Sequence, residues 1–291
     1  MSSKLASCGA RSTAMRWREQ IKRKSLLGEG TCHHYYLQSD CISTIFNTYT
    51  TVIPYQRRWK NTHSSKQWLR RQARDPYVKM AKDAKVPSRA YFKLEQMDAR
   101  QGLFRPGQKV IDLGASPGGW SVYVINKLKD DGMLIAVDLL GLHETTFSTL
   151  NGSSSGFEFI QGDFTTEETQ RQIDAILSDY QLSCVDFIMS DMAPDFTGDQ
   201  RTDALKTMSL CEDALSFAIN CSGKASSEDQ SILKDGGGFL CKYFVCGPAH
   251  ERDLMDLAKL HFQKVSILKP PASRKDSAER YLLATNFQNA R

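Results

Sequence analysis

The order of hydrophobic and polar positions along most of the chain predicts alternating helices and strands. Apolar runs of about four to eight residues are typical of buried strands, whereas apolar residues spaced by three and four are typical of helices. In the stretch 88–101, this spacing puts Leu94 and Met97 on one face of a helix, and Gly102 follows as a stop signal. Lys93 lies off that apolar face and is expected to point elsewhere.

Most of the predicted strands are separated by helical stretches. Seven strands are predicted, at 109–113, 133–138, 157–160, 185–190, 238–244, 264–268 and 280–286. After the first helix, further helices are predicted at 118–129, 166–179, 201–220 and 249–262. Because strands that alternate with helices favour parallel order, we expect one doubly wound α/β sheet. Ligands of such sheets lie beyond the carboxyl ends of the strands, where the strand order reverses.

A glycine-rich bend follows the first predicted strand. The stretch 110–120 reads Val-Ile-Asp-Leu-Gly-Ala-Ser-Pro-Gly-Gly-Trp, in which an apolar strand leads through a bend into a helix. Gly114 permits a tight turn, Gly118 and Gly119 let the backbone approach a ligand closely, and the helix start offers unpaired N–H groups. The spacing lacks the Gly-x-Gly-x-x-Gly arrangement that seats a pyrophosphate, so a dinucleotide is disfavoured.

Two acidic residues at the ends of the next strands narrow the class of cofactor. Asp138 ends the second strand, where α/β cofactor folds accept ribose hydroxyls, and Asp163 follows the third strand, where it could accept from an exocyclic amine. Together with the bend they suit an adenosine without phosphates, and S-adenosylmethionine has this chemistry. The alternative is that these acids cap ordinary strand-to-helix turns.

A lysine inside an apolar strand is the second chemical signal. Lys242 interrupts the run 239–245, where a lysine must snorkel, pair or lose its charge. The strand 185–190 delivers Asp191, although a lone aspartate after a strand is usually a turn former.

Five ordered motifs make the chain resemble a known family. They are Ser-Arg-Ala-Tyr-Phe-Lys-Leu (88–94), the glycine bend, Ser-Asp-Met-Ala-Pro (190–194), Gly-Gly-Phe-Leu-Cys-Lys-Tyr-Phe (237–244) and Ala-Glu-Arg-Tyr-Leu-Leu-Ala-Thr (278–285). On these motifs the chain resembles the FtsJ-type (RrmJ-type) RNA ribose 2′-O-methyltransferases from Ser88 to about Phe287. The likeness is greatest to the mitochondrial ribosomal RNA branch of that family. One departure is Asp276, which adds a charge to the otherwise matching segment 273–279.

The resemblance implies a fold, a cofactor and a set of site residues. The implied fold is Rossmann-like, a mostly parallel seven-stranded sheet with an antiparallel last strand. The implied catalytic residues are Lys93, Asp191, Lys242 and Glu279. In that set Lys242 is the base for a ribose hydroxyl, and the others orient it or steady the substrate. The residues expected to bind S-adenosylmethionine are Gly114, Ser116, Pro117, Gly118, Gly119, Trp120, Asp138, Asp163 and Asp191, and no metal site is expected.

The family branch also implies a substrate, a uridine ribose in mitochondrial large-subunit ribosomal RNA. The expected partner is the pre-ribosomal particle, and the protein is expected to be a monomer. Enzymes that act on transfer RNA or on the messenger RNA cap share the catalytic set and stay as alternatives. A non-catalytic RNA-binding assembly factor of the same fold is a further alternative, while a nucleotide-dependent oxidoreductase is disfavoured by the glycine spacing.

Positive charge is concentrated at the N-terminus. The chain has 38 Lys and Arg against 33 Asp and Glu, yet residues 1–74 alone hold 14 basic and 3 acidic residues. This composition, rich in serine and threonine, indicates an organelle transit peptide over 1–60. Together with it, the family branch implies a mitochondrial transit peptide, a location in the matrix and a methyltransferase domain over 61–291. A disordered basic arm that grips RNA is the alternative.

Two basic clusters either flank one cleft of the folded sheet or are solvated charges of helices and loops. They are Lys79, Lys82, Lys85, Arg89 and Lys93, and Lys264, Lys269, Arg274, Lys275 and Arg280. The eight cysteines include no Cys-x-x-Cys pair, so reduced thiols are expected. No apolar run approaches the ~20 residues that a membrane-spanning helix needs, so membrane insertion is not expected.

Overall fold

The structure, a computed structural model of the chain, describes residues 72–219 and 231–289. The strands are β1 Lys109–Leu113, β2 Met133–Asp138, β3 Gly156–Gln161, β4 Val185–Ser190, β5 Leu233–Phe244, β6 Phe262–Leu268 and β7 Glu279–Phe287. The helices are α1 Pro76–Asp83, α2 Ala90–Gln101, α3 Gly119–Leu128, α4 Glu144–Asn151, α5 Glu167–Asp179, α6 Gln200–Ile219 and α7 Pro248–Lys259. None of these helices combines the length and the apolar character needed to span a bilayer. The predicted transit peptide lies outside the described residues.

The strands form one seven-stranded sheet in the order β3-β2-β1-β4-β5-β7-β6. β1 pairs in parallel with β2 and β4, and parallel pairing continues to β3 on one side and to β5 on the other. β7 runs antiparallel to both β5 and β6. The predicted Rossmann-like fold, a mostly parallel sheet with an antiparallel last strand, is thereby confirmed. The strand order reverses between β1 and β4, which is where such sheets bind ligands.

Two apolar layers, one on each face of the sheet, form the core. Val110 packs into one layer and Ile111 into the other, because successive side chains of a strand point to opposite faces. The strand β2 is buried from Met133 to Val137, and its sequence is a continuous apolar run because both of its faces are covered. Only at its carboxyl end, at Asp138, does burial become partial. In β2 the one polar residue therefore lies at the carboxyl end of the strand.

The predicted helix 249–262 ends earlier than expected, at Lys259, because β6 already begins at Phe262. The structure differs from the predicted elements in three further places. α4 lies between β2 and β3, where the sequence pattern predicts no helix; only two of its side chains are buried, so it shows little apolar periodicity. α1 precedes the first predicted helix and begins at Pro76 after the capping residue Asp75. β5 begins at Leu233 rather than at the predicted 238, because its run of glycines, which usually ends a strand, forms an irregularity within the pairing with β4.

Candidate active site

The glycine bend joins β1 to α3 where the strand order reverses. Gly114 and Gly118 have φ angles of +76° and +102°, which residues with side chains rarely adopt. Ser116 and Pro117, joined by a cis peptide bond, lie between them. The bend is tied to the end of β2, because the N–H of Gly114 donates to a β2 carbonyl at 2.7 Å and the N–H of Ser116 donates to Asp138 Oδ2 at 2.8 Å. The protein itself therefore fixes the shape of the bend.

The last two glycines of the bend allow close packing within the protein. A Cβ on Gly118 would collide with the side chain of Thr146 in α4. A Cβ on Gly119 would collide with the side chain of Ser88, just before α2. The close approach that the sequence predicts for a ligand at these glycines is thus made, in this structure, to neighbouring protein segments.

Asp138 holds the bend with one carboxylate oxygen and its own loop with the other. In addition to the bond from Ser116, its Oδ1 accepts from the N–H of Leu140 at 2.7 Å. Burial raises the pKa of Asp138, although both hydrogen bonds favour the charged form. Because each carboxylate oxygen has a second lone pair, Asp138 retains the capacity to accept from a ribose hydroxyl.

Two other residues predicted to bind the cofactor have different contacts in the structure. The indole of Trp120 is buried, donates from Nε1 to the carbonyl of Ala90 at 3.0 Å and packs against Tyr281. The indole thus serves packing, which leaves the backbone of Trp120 for the predicted role. Asp163 is exposed, and its Oδ1 accepts from both the N–H and the hydroxyl of Thr165. These contacts of Asp163 match the alternative, an acid that caps a turn.

The four predicted catalytic residues meet in one place, here called the charged network. Lys242 Nζ donates to Asp191 Oδ1 at 3.1 Å and also to the backbone carbonyl of Asp191. Lys93 Nζ donates to Glu279 Oε2 at 2.6 Å and lies 4.0 Å from Asp191 Oδ1. The four side chains are between 8% and 16% exposed, so water screens their charges only weakly.

Each member of the charged network comes from a different part of the fold. α2 presents Lys93, which is only partly buried while Leu94 beside it lies in the core. Asp191 follows β4 directly, and Lys242 is near the carboxyl end of β5. Because β7 is antiparallel to β5, its first residue, Glu279, pairs with Phe244 at that same end. The reversed strand therefore brings a late residue of the chain to the ligand-binding edge of the sheet.

Burial and charge determine the protonation of the acids at this edge. Burial alone would raise the pKa of Asp191, but the positive charges of Lys242 and Lys93 outweigh burial and lower that pKa. Burial raises the pKa of Asp112 to about 7, against the hydrogen bond that Ser121 donates, and the negative charge of Asp191 adds to the rise. Asp191 is therefore charged at neutral pH, whereas Asp112 titrates close to it.

Sequence comparison identifies the family. A sequence model described as FtsJ-like methyltransferase matches residues 86–287, which is well over half of the chain. The chain belongs to the FtsJ-like methyltransferases. The resemblance predicted from its five motifs is thereby confirmed.

Relatives of this FtsJ-like methyltransferase include bacterial proteins named ribosomal RNA large subunit methyltransferase E. The one from Bradyrhizobium diazoefficiens is 40% identical over 232 residues, which cover 79% of this chain and 90% of the relative. The one from Coxiella burnetii is 40% identical over 227 residues, which cover 78% and 96%. A crystal structure described as a ribosomal RNA methyltransferase of Plasmodium falciparum matches with a TM-score of 0.54 at 22% identity, and covers 69% of this chain and 98% of that chain. At that identity the structural match supports the fold alone.

Two residues that sequence reasoning missed contact the charged network of this FtsJ-like methyltransferase. The Tyr281 hydroxyl donates to Asp191 Oδ1 at 3.0 Å, and Ser273 Oγ donates to Glu279 Oε1 at 2.6 Å. Tyr281 follows Glu279 by two positions in a strand, so strand periodicity could have placed both side chains on one face. Ser273 lies in a loop, and no periodic signal exists for its contact.

A pocket of about 240 Å³ opens beside the charged network. Its lining residues are Gln72, Arg89, Lys93, Ala193, Phe196, Lys242, Phe244, Arg274, Ser277 and Glu279. Arg89 and Arg274 both donate to Asp75 Oδ2, which lies just before α1. Arg89 belongs to one of the two basic clusters seen in the sequence and Arg274 to the other. The clusters therefore do meet at one cleft, through these members.

Proposed function

We propose that this FtsJ-like methyltransferase transfers a methyl group from S-adenosylmethionine to the 2′-hydroxyl of a uridine in mitochondrial large-subunit ribosomal RNA. The observation that carries the proposal is the charged network. In it a buried lysine, Lys242, is held by Asp191 next to a second ion pair, Lys93 with Glu279. The network lines a pocket at the edge of the sheet where α/β folds bind their ligands.

The acids around the bend suit S-adenosylmethionine better than a cofactor with phosphates. Asp138 and Asp191 lie close enough to Asp112 for their charges to raise its pKa. Carboxylates repel phosphates and attract the sulfonium and ammonium groups of S-adenosylmethionine. When bound there, S-adenosylmethionine supplies a methyl group that its positive sulfur has already activated. Met192, next to Asp191, packs against Gly114. Asp191, a member of the charged network, is therefore also next to the bend.

The chemistry left to the protein is to align a ribose hydroxyl and to remove its proton. Two of the three hydrogen positions on Lys242 Nζ are directed to oxygens of Asp191. The third is left for the ribose 2′-hydroxyl in the pocket that Lys242 lines. When the amine is neutral, its lone pair at that position takes the proton. Lys93, fixed by Glu279, places a positive charge beside the oxygen from which the proton leaves.

Three observations support the choice of RNA and compartment. The bacterial relatives carry names that specify large-subunit ribosomal RNA. Arginines line the same pocket as the charged network and attract phosphates. The acid-poor N-terminal 60 residues have the composition of a mitochondrial address. We further propose that the protein acts as a monomer on the pre-ribosomal particle.

The first test compares substrates in vitro. Purified protein and tritiated S-adenosylmethionine are incubated with unmethylated large-subunit ribosomal RNA, with transfer RNA and with capped messenger RNA, and label in 2′-O-methylated nucleotides is measured. We expect label in ribosomal RNA that is absent with Lys242→Ala. Preferential labelling of transfer RNA or of caps would favour those alternatives, and binding of RNA without label in any substrate would favour an assembly factor.

The second test measures which cofactor the purified protein binds and which nucleotide is methylated in cells. Calorimetry with S-adenosylmethionine and with NAD should show binding of the former alone. Mapping of ribose methylation after depletion of the protein should show loss at one uridine of mitochondrial large-subunit ribosomal RNA. An unchanged methylation map would contradict the proposed substrate.

A further inference from the structure

Two phenylalanine rings at the pocket are stacked on one another. The ring centroids of Phe196 and Phe244 are 5.7 Å apart, and the ring planes differ by 8°. Phe196 is 57% exposed. A single exposed phenylalanine is not unusual, but this one is held parallel to a second ring and lines the pocket that contains the charged network. The ring surface that Phe244 does not cover is open to another flat group.

The loop that carries Phe196 is held in place by a buried acid. Asp203 in α6 accepts from the N–H and from the hydroxyl of Thr197, each at 2.7 Å, and from the N–H of Gly198 at 3.1 Å. Because Asp203 is only 7% exposed, these bonds are shielded from water. The residues directly after Phe196 are thus anchored, and the ring is presented from a fixed loop.

Lys242, the proposed base, lines the same pocket as the two rings. Phe244 follows Lys242 by two positions in β5, so both side chains point to the same face of the sheet. Phe244 pairs with Glu279 and Lys242 pairs with Tyr281, so these residues of β5 and β7 lie side by side in the sheet. Two residues of a strand are about 6.6 Å apart along the backbone, so Lys242 and Phe244 are next neighbours on that face. A ribose at Lys242 therefore carries its base towards the rings.

The charges of the pocket favour a nucleotide over an apolar protein segment. Arg89, Arg274 and Lys93 line the same pocket as the two rings. Lys93 is paired with Glu279, but the two arginines share the single carboxylate of Asp75 and keep a net positive charge, which an apolar partner would bury at a cost. A nucleotide offers a flat base to the rings and phosphates to the cations.

We propose that the Phe196–Phe244 pair is the stacking site for the base of the target nucleotide, which is therefore bound unpaired. The proposal rests on the proposed function. Since every base has a stacking face, the pair selects an unpaired nucleotide rather than uridine in particular. Selection of uridine then depends on the RNA around the target.

The test uses variants that separate a flat ring from apolar volume. Phe196→Ala and Phe196→Leu remove the ring, Phe196→Tyr keeps it, and Phe147→Ala removes an exposed ring that packs on Phe157 in another part of the sheet. Methylation of large-subunit ribosomal RNA is measured as kcat and KM. We expect Phe196→Ala and Phe196→Leu to lower kcat/KM by roughly 10- to 100-fold, mainly through KM, as expected for loss of one base stack. Phe196→Tyr and Phe147→Ala should stay close to the wild type.

A second substrate identifies the stacking partner. The substrate is ribosomal RNA with an abasic ribose at the mapped target. The wild-type protein should methylate this RNA with the same reduced kcat/KM that Phe196→Ala shows on normal RNA. Phe196→Ala should show no further reduction of kcat/KM on the abasic RNA. The proposal would be overturned if Phe196→Ala lowered kcat/KM relative to the wild type by the same factor on normal and abasic RNA, or if it lowered kcat/KM on neither.

A binding assay separates this inference from the proposed function. Single-stranded RNA containing 2-aminopurine is titrated with protein, since stacking on a ring quenches its fluorescence. We expect quenching by the wild type and by Phe196→Tyr but not by Phe196→Ala or Phe196→Leu. Quenching without methylation of any RNA would contradict only the proposed function, whereas equal quenching by all variants would contradict only the stacking site.

Discussion

At the residue scale, the position of Lys242 depends on Asp191. Asp191 accepts hydrogen bonds from Lys242 Nζ through a side-chain oxygen and through its backbone carbonyl. Since the carbonyl survives any substitution of Asp191, the function of Lys242 is best tested at Lys242 itself. We predict that Lys242→Ala lowers kcat by about 10²- to 10⁴-fold, the usual contribution of a general base. Its affinity for S-adenosylmethionine in calorimetry should be unchanged. Methyl transfer to RNA at a near-normal rate would show that Lys242 is not the base.

Asp138 should matter for the cofactor and not for RNA. We predict that Asp138→Ala weakens binding of S-adenosylmethionine by about 1–3 kcal/mol, because a partly buried acceptor is lost and the N–H of Ser116 loses its partner. Calorimetry with the cofactor measures this, and RNA affinity at fixed salt is the control. Unchanged cofactor affinity would show that the carboxylate at the end of β2 does not contact the ribose.

Asp112 makes stability depend on pH in an unusual direction. Its pKa is raised to about 7 in the folded protein, against about 4 in an unfolded chain. Between these values the folded state binds a proton that the unfolded state has lost, so the free energy of unfolding falls as pH rises from about 4 to about 7 and then levels off. Asp112→Asn should remove this contribution, which amounts to at most about 1.4 kcal/mol per pH unit. Urea unfolding across the range measures both proteins, and parallel pH profiles would contradict the prediction.

At the element scale, Asp75 connects three segments, one of which lies 199 positions further along the chain. It caps α1 by accepting from the N–H of Tyr77 at 3.1 Å, and it accepts from Arg89 before α2 and from Arg274 after β6. We predict that Asp75→Ala lowers the free energy of unfolding by about 1–3 kcal/mol, since it leaves two arginines without their buried acceptor.

The matched control for Asp75 is a surface pair. Asp256 is 70% exposed and pairs with Lys259 at 3.0 Å within α7. Asp256→Ala should change the free energy of unfolding by less than about 0.5 kcal/mol. Denaturant unfolding measures the free energy of unfolding of both variants. Equal changes in the two would mean that the contacts of Asp75 with the three segments do not stabilise the fold.

The elements also show what the sequence could predict and what it could not. The central strands were predictable because burial on both faces makes β2 a continuous apolar run and leaves β1 and β4 mostly apolar. α4 was not, because a mostly exposed helix shows little apolar spacing. The members of the charged network were predictable from motifs, but not which acid holds which lysine. That Glu279 binds Lys93 follows from the pairing of β7 with β5, a long-range contact that no local pattern contains.

At the scale of the whole molecule, residues 1 to about 60 should direct import and contribute nothing to catalysis. We predict that a truncated protein starting near Asn61 methylates RNA in vitro at the full-length rate and fails to reach mitochondria in cells. Activity assays and cell fractionation measure the two outcomes.

The alternative for this segment, a basic arm that binds RNA, predicts a different result in RNA-binding measurements at several salt concentrations. Each lost phosphate contact would flatten the dependence of RNA affinity on salt by close to one unit of slope. A truncated protein with a shallower salt slope, or one that still reaches mitochondria, would contradict the transit-peptide prediction.

The position of β7 after all the other strands of the sheet has a consequence for synthesis. Glu279 lies 186 positions after Lys93, its partner in the charged network. A growing chain therefore carries Lys93, Asp191 and Lys242 well before it carries Glu279. On an unfinished chain Lys93 has no such acid to hold it, and β5 still lacks its antiparallel neighbour. The ribosome must therefore have synthesised β7 before the four residues can come together.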